Sequence, residues 1–347
     1  MCCTRYDVSL SKFDKKDSML KVGMIGCGGI AQAHAAGWLT LGNKAVVTAV
    51  SDVVDESTRV MAQRFGGAST YSDYRELVRD PDVDAVDICL PHHLHREAIV
   101  AAARAGKHVI CEKPLCLSLA EAEEIDGAVR ASGVTMMCAH NQLFDPAVQK
   151  AREMIAEGAL GKIFMVRTCD CFRHTKPLSE WGWRASAKTM GGGCLIDTGY
   201  HPSYLLLNLA GSEPVEVSAV GGRYHIHTLE GEDSALVIVR FANGAMGEVL
   251  TSWAWEWPEG SWQFQIIGEK GQLFGRGRKI LHKPIGWQPA TLELGQRNNF
   301  AAELEHFTDC LAEGKRPVNT NVEGTAVLKL ILGAYESMEK NRAVALA

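Results

Sequence analysis

Two hydrophobic rhythms divide this chain. Over roughly the first 140 residues, short apolar runs alternate with stretches whose apolar positions recur at helical spacing. The runs predict buried strands at 20–25, 45–51, 84–90, 107–111 and 134–138. The stretches between them predict helices at 29–41, 54–65, 92–105 and 118–131. Strand and helix in strict alternation imply a parallel sheet with helices on both faces. Ligands of such sheets bind at the carboxyl ends of the strands. That rule sets the Gly26 turn, Asp52, Leu90–Pro91–His92 and Glu112–Lys113–Pro114 along one rim.

Beyond Asn141 the rhythm changes. A helix at 146–157 and a Gly158–Gly161 turn lead to a strand near 162–171. A Trp-rich loop, three glycines and a helix near 195–209 follow. Strands are then expected at 214–221, 234–241, 245–257, 261–268 and 271–281, separated by turns such as Asn243–Gly244. Two helices, 299–313 and 321–340, close the pattern. The fold class expected is α/β: a parallel-sheet unit, then an α/β unit with an open, mostly antiparallel sheet. The boundaries expected are a polar extension over 1–19, a first domain over 20–140 and a second over 141–347.

Composition narrows the function. The chain has 347 residues, 46% of them hydrophobic, and a net charge of −5 without a basic tract. No nucleic-acid or membrane partner is therefore expected. No apolar run reaches membrane-spanning length, and residues 1–19 lack the apolar stretch of a signal peptide, so a cytoplasmic location is expected. The 11 cysteines sit mostly inside apolar runs, as reduced, buried thiols do. Cys169 and Cys171 alternate on a strand and share a face, without a second pair at zinc-site spacing.

The first chemical signal is Gly26-x-Gly28-x-x-Ala31, placed between a strand and a helix. This is one form of the dinucleotide fingerprint. Gly26 permits the tight turn and Gly28 the approach of a pyrophosphate. Gly29 and Ile30 open a helix whose free N–H groups and dipole favour phosphate. Asp52, 21 residues past Ala31 at the end of the second strand, is placed to bind ribose hydroxyls and to repel a 2′-phosphate. The cofactor expected is NAD rather than NADP.

Two further clusters carry reactive groups. Glu112–Lys113–Pro114 sets an ammonium over the strand rim. Asp197 and His201 are four residues apart, so on one helix they would share a face. A carboxylate neighbour would raise the histidine's pKa and a lysine would lower it. Pro202 demands a kink or restart there, since it cannot donate to the Thr198 carbonyl. His92 and His95 lie at a strand-to-helix corner without an acidic companion, and no metal is expected. Trp253, Trp255 and Trp257 alternate along the expected 245–257 strand. That stripe suits a subunit interface better than a sugar platform.

In their order and spacing, these elements resemble the Gfo/Idh/MocA family of NAD(P)-dependent oxidoreductases. The resemblance spans Gly26-x-Gly28-x-x-Ala31, Pro91–His92–His93–Leu94–His95, Glu112–Lys113–Pro114, Asn141, Phe144–Asp145–Pro146, Gly191–Gly193 with Asp197 and His201, and Glu303–Phe307. It implies a Rossmann domain and a second domain that carries substrate and serves oligomerisation. It further implies a catalytic set of Lys113, Asp197 and His201. The set would act on a secondary hydroxyl of a cyclic polyol, sugar or glycoside, or on the matching ketone. His201 would be the base, with Lys113 at the substrate oxygen. Cofactor neighbours implied are Gly26, Gly28, Gly29, Ile30, Asp52, Leu90, Pro91, His95, Glu112, Lys113 and Asn141. Substrate neighbours implied are Lys113, His140, Trp183, Arg184, Asp197 and His201. Alternatives left open are glycoside or sugar–sugar chemistry on a tightly held, recycled NAD, and a nucleotide-sensing regulator. A homo-oligomer built through the second sheet is expected.

Overall fold

The computed structural model describes residues 19–258 and 260–346. The expected polar extension lies outside them, apart from Met19. The first sheet holds β1 (Leu20–Ile25), β2 (Ala45–Ser51), β3 (Ser69–Tyr71), β4 (Ala85–Ile88), β5 (His108–Glu112) and β6 (Met136–Ala139). Its order is β3-β2-β1-β4-β5-β6, and every pairing is parallel. The helices of this unit are α1 (Gly29–Trp38), α2 (Asp55–Arg64), α3 (Tyr74–Leu77), α4 (His95–Arg104) and α5 (Leu119–Ser132). Strands β4, β5 and β6 are buried throughout, as a sheet covered on both faces requires.

Next come α6 (Pro146–Ala156), β7 (Ile163–Cys171), α7 (Ala187–Met190), α8 (Cys194–Asp197) and α9 (Tyr200–Ala210). They lead into β8 (Pro214–Gly222), β9 (Ser234–Phe241), β10 (Met246–Ser252), β11 (Phe264–Gly268), β12 (Gly271–Arg276), β13 (Lys279–Pro284) and β14 (Ala290–Glu293). The chain then runs through α10 (Asn299–Glu313), α11 (Asn321–Lys340) and β15 (Val344–Ala345). The second sheet has the order β14-β13-β12-β11-β7-β10-β9-β8-β15. Among the described residues only β7 and β10 of this sheet pair in parallel, so it is open and mostly antiparallel as expected. One face packs on α9 and α11. The other keeps Val220, Leu236, Ile238 and Met246 exposed.

The structure corrects several expectations. The 245–257 strand ends at Ser252, where its hydroxyl meets that of Ser234 at 2.7 Å. The chain bends there, so the three tryptophans do not form a stripe. Trp253 turns inward and is 2% exposed, while Trp255 is 38% exposed. The 271–281 segment is a hairpin, β12 and β13, turning at Gly277 with φ +55°. The 195–209 helix is two helices, α8 and α9, broken at Thr198–Gly199. Pro202 sits in the first turn of α9, where its missing N–H costs nothing. Asp197 and His201 therefore do not share one helix. Within 92–105, His92–Leu94 forms a 3-10 turn and α4 starts at His95. Strand β3 and helix α3 are three and four residues long and lack an apolar run, so the hydrophobic pattern does not predict them.

Candidate functional site

A cleft of about 770 Å³ runs along the carboxyl rim of the first sheet. Its floor begins at the glycine turn. Gly26 adopts φ +93°, and a Cβ there would sit 2.5 Å from the Cys89 carbonyl oxygen. Only glycine fits that approach. At Gly28 and Gly29 a Cβ would meet no described residue within 4 Å, so among these residues open space faces the first turn of α1. Such space at a helix N-terminus is the cradle a pyrophosphate needs. Asp52 is already engaged. Its Oδ2 accepts the Cys27 N–H at 2.7 Å and its Oδ1 the Val54 N–H at 2.9 Å. These residues fit a dinucleotide.

The remaining wall includes Ile30, Leu90, Pro91, His92, Glu112, Lys113, Asn141, Gln142, Trp183, Arg184, His201 and Phe300. His95 does not line the cleft. It is fully buried, and its ring nitrogens lie 2.6 Å from the Pro114 carbonyl and 2.8 Å from that of Leu90. It braces the two rim turns from behind. His140 is also buried, stacked at 4.3 Å on Tyr204. Its own carboxyl-side neighbours, Asn141 and Gln142, reach the cleft instead.

Lys113 leaves the end of β5 and crosses toward α8. Its Nζ donates to the Asp197 Oδ1 and carbonyl, both at 2.9 Å. Asp197 Oδ2 accepts from the Arg184 Nε at 2.9 Å. The Arg184 guanidinium in turn lies 4.1 Å over the Trp183 ring. Burial pushes the Asp197 carboxyl up, but Lys113, His92 (Nε2 3.7 Å from Oδ1) and Arg184 outweigh it and hold the group well below the usual carboxylate range. The three glycines before α8 allow this placement. A Cβ at Gly192 would strike Tyr335, and one at Gly193 would strike Glu232.

His201 is not paired as its spacing to Asp197 suggested. Both Asp197 oxygens are taken by Lys113 and Arg184, and the His201 Nδ1 meets the Tyr204 hydroxyl at 2.8 Å. Burial and the Lys113 charge hold the imidazole pKa well below its ordinary value, against a smaller pull from Asp197. Lysine wins the contest that spacing left open, and the ring is neutral near pH 7. The break between α8 and α9 is pinned from the second sheet, where the Trp253 indole donates to the Thr198 hydroxyl at 2.7 Å.

Beneath Lys113 lies a polar group that the sequence did not reveal. His34, fully buried, sits between Asp87 at 2.9 Å and Glu112 at 3.0 Å. Burial opposes charge on His34, but Asp87 overrides it and raises the pKa well above its ordinary value. Glu112 Oε2 accepts the Lys113 main-chain N–H at 3.0 Å. Ligand atoms of His34, Asp87 and Cys89 lie within 4.8 Å of one another, the one such metal-compatible group found among the described residues. In this structure they bond each other and Trp38. The nearby Glu303 carboxyl is buried, and neither oxygen is hydrogen-bonded among the described residues.

Comparison with known proteins agrees with this geometry. Residues 20–140 match the family model described as "Oxidoreductase family, NAD-binding Rossmann fold", and residues 148–274 match that of the Gfo/Idh/MocA C-terminal domain. Levoglucosan dehydrogenase of Pseudarthrobacter phenanthrenivorans is 33% identical over 284 residues, covering 73% of each chain. The chain belongs to the Gfo/Idh/MocA oxidoreductase family. Myo-inositol 2-dehydrogenase of Thermotoga maritima is a family relative 29% identical over 339 residues, 94% of this chain and 98% of its own. Among solved structures, levoglucosan dehydrogenase in complex with NADH and levoglucosan superposes with a TM-score of 0.87. It shares 28% identity and covers 94% of this chain and 99% of its own. The first sheet is thus an NAD-binding Rossmann unit, and the protein is an oxidoreductase. No helix among the described residues is long and apolar enough to cross a membrane.

Proposed function

We propose that this oxidoreductase acts with NAD on a secondary hydroxyl of a cyclic polyol, sugar or glycoside, or on the matching ketone. The observation that carries the reading is that Lys113 and His201 line the same cleft as the glycine turn and Asp52. When bound, the nicotinamide supplies the hydride chemistry. The chain supplies everything else. Lys113, pinned to Asp197, offers an N–H to the substrate oxygen and stabilises negative charge there. His201, neutral, accepts the hydroxyl proton at its ring nitrogen facing the cleft. Asp197 holds Lys113 and Arg184 in place, and Arg184 with Trp183 forms a wall against which a ring can lie. Asp52 favours the ribose 2′-hydroxyl of NAD over a 2′-phosphate.

The relatives support the substrate class, since two are named as a sugar or polyol dehydrogenase. We further infer that the exposed apolar face of the second sheet receives a second copy of this chain. Val220, Leu236, Ile238 and Met246 on one face are more than a lone surface residue, and such patches mark association. The test is nucleotide reduction followed by absorbance, with NAD and NADP, across inositols, hexoses, pentoses and glycosides. A signal lost in Lys113→Ala supports the reading. A signal that survives Lys113→Ala and His201→Asn overturns it.

A further inference from the structure

The hydroxyl of Tyr204 stands between His201 and the end of the first sheet. It makes three contacts: His201 Nδ1 at 2.8 Å, the Gln142 main-chain N–H at 3.1 Å and Asn141 Oδ1 at 3.4 Å. A phenol has one proton to give. The Gln142 N–H can only donate and the Asn141 oxygen can only accept. With the phenol proton directed at Asn141, the remaining contact requires His201 Nδ1–H to donate to the Tyr204 oxygen. The proton then sits on Nδ1, and Nε2 carries a lone pair. With the phenol proton directed at His201, Nε2 carries the proton and cannot accept another. The choice of donor at one hydrogen bond therefore decides whether the imidazole is a base.

We propose that Tyr204, held by Asn141 and Gln142, is a positioning residue that selects the Nδ1–H tautomer of His201 and so frees Nε2 to take the substrate proton. This rests on the role of His201 given above. The phenol is built to hold one orientation. Tyr204 is 2% exposed, its ring stacked on His140 with a 7° interplanar angle and set edge-on to Tyr200. Its partners come from two units, Asn141 and Gln142 following β6 and His201 from α9. The charged and titratable groups around His201 are Lys113, Asp197, His140 and Tyr204 itself. Burial pushes the Tyr204 hydroxyl well up, so it stays protonated across the working range. Because the partner of Nδ1 is a neutral phenol, tautomer choice rather than charge governs this imidazole near neutrality.

The test is Tyr204→Phe, which keeps the stacked ring and removes only the hydroxyl. Long-range proton–nitrogen spectra of histidine-labelled protein, with His201→Asn to assign the resonance, report the tautomer without turnover. The expected wild-type pattern is a protonated Nδ1 and an unprotonated Nε2. In Tyr204→Phe the two tautomers should mix, and kcat should fall on the order of 10-fold to 100-fold with KM within about 2-fold. Asn141→Leu removes the acceptor of the phenol proton and should move the proton to Nε2, a second check if Tyr204→Phe folds poorly. A wild-type spectrum with Nε2 protonated overturns the proposal. So does a Tyr204→Phe protein with unchanged tautomer and kcat. If His201→Asn itself retains turnover, the fault lies with the assignment of His201 as base, and the spectrum still reports on Tyr204.

Discussion

Replacing Asp197 by Asn should destabilise this protein far more than a single amide for carboxylate suggests. The exchange keeps side-chain volume, so it opens no cavity. What it removes is the counter-ion of Lys113, whose Nζ lies 2.9 Å away in a side chain only 11% exposed. An ammonium left nearly buried without its partner costs about 3–5 kcal/mol. The Arg184 contact adds little, about 0–1 kcal/mol, because that side chain is 43% exposed and stays solvated. Lys113 retains the Asp197 carbonyl as an acceptor, which favours the lower end, about 3 kcal/mol. With a urea slope of about 3 kcal/mol/M, the unfolding midpoint should drop by about 1 M. Adding Lys113→Met removes the stranded charge and should recover at least half of the loss. The sign with pH is fixed. The folded carboxyl titrates below its unfolded value near 3.8, so the stabilisation is complete above that pH and fades as pH falls through the folded value. The gap between wild type and Asp197→Asn should thus narrow in acid. Equal midpoints at neutral pH, or strict additivity with Lys113→Met, would refute the reasoning.

Three further outcomes are expected. Gly28→Val should fold normally, since a Cβ there meets no described residue within 4 Å, yet lower NADH affinity at least ~10-fold in a fluorescence titration. Unchanged affinity would remove the pyrophosphate from this turn. Glu303→Gln should raise stability at neutral pH. Burial holds that carboxyl protonated in the fold well above pH 4.5, so wild-type stability declines as pH rises past the unfolded value, and the variant should lose that decline in denaturation curves. Ile238→Glu should reduce the mass measured by light scattering to that of one chain while leaving NAD binding intact. An unchanged oligomer would place the interface elsewhere.

The sequence was most informative where one local rule acts alone. Alternating apolar runs announced the parallel sheet, because strands buried on both faces cannot be written otherwise. The glycine turn and Asp52 were legible because backbone geometry at Gly26 admits no side chain. The Trp253–Trp257 stripe misled, since alternation says nothing about where pairing stops, and pairing stops at Ser252 against Ser234. The Asp197–His201 pair misled for a related reason. Four-residue spacing predicts contact only within one helix, and the break at Thr198–Gly199 divides this one. The group that does meet His201, Tyr204, lies three residues along α9. Its spacing was visible, but nothing in the sequence marked a phenol as the partner. The His34–Asp87–Glu112 group joins α1, β4 and β5, so no local pattern reveals it.

The clamp on Asp52 bears on how nucleotide affinity is divided between folding and binding. Both carboxylate oxygens are fixed by main-chain N–H groups, one from the glycine turn and one from the segment before α2. Each oxygen keeps a lone pair for a ribose hydroxyl. The side chain therefore loses its rotational freedom when the chain folds, not when the ribose arrives. Immobilising a side chain at a binding step costs about 0.5–1.5 kcal/mol, and here that entropy is already spent. The same two bonds tie the ribose site to the pyrophosphate turn. A distortion of either will misplace the other, so the two ends of the adenosine diphosphate moiety should be recognised as a single rigid template.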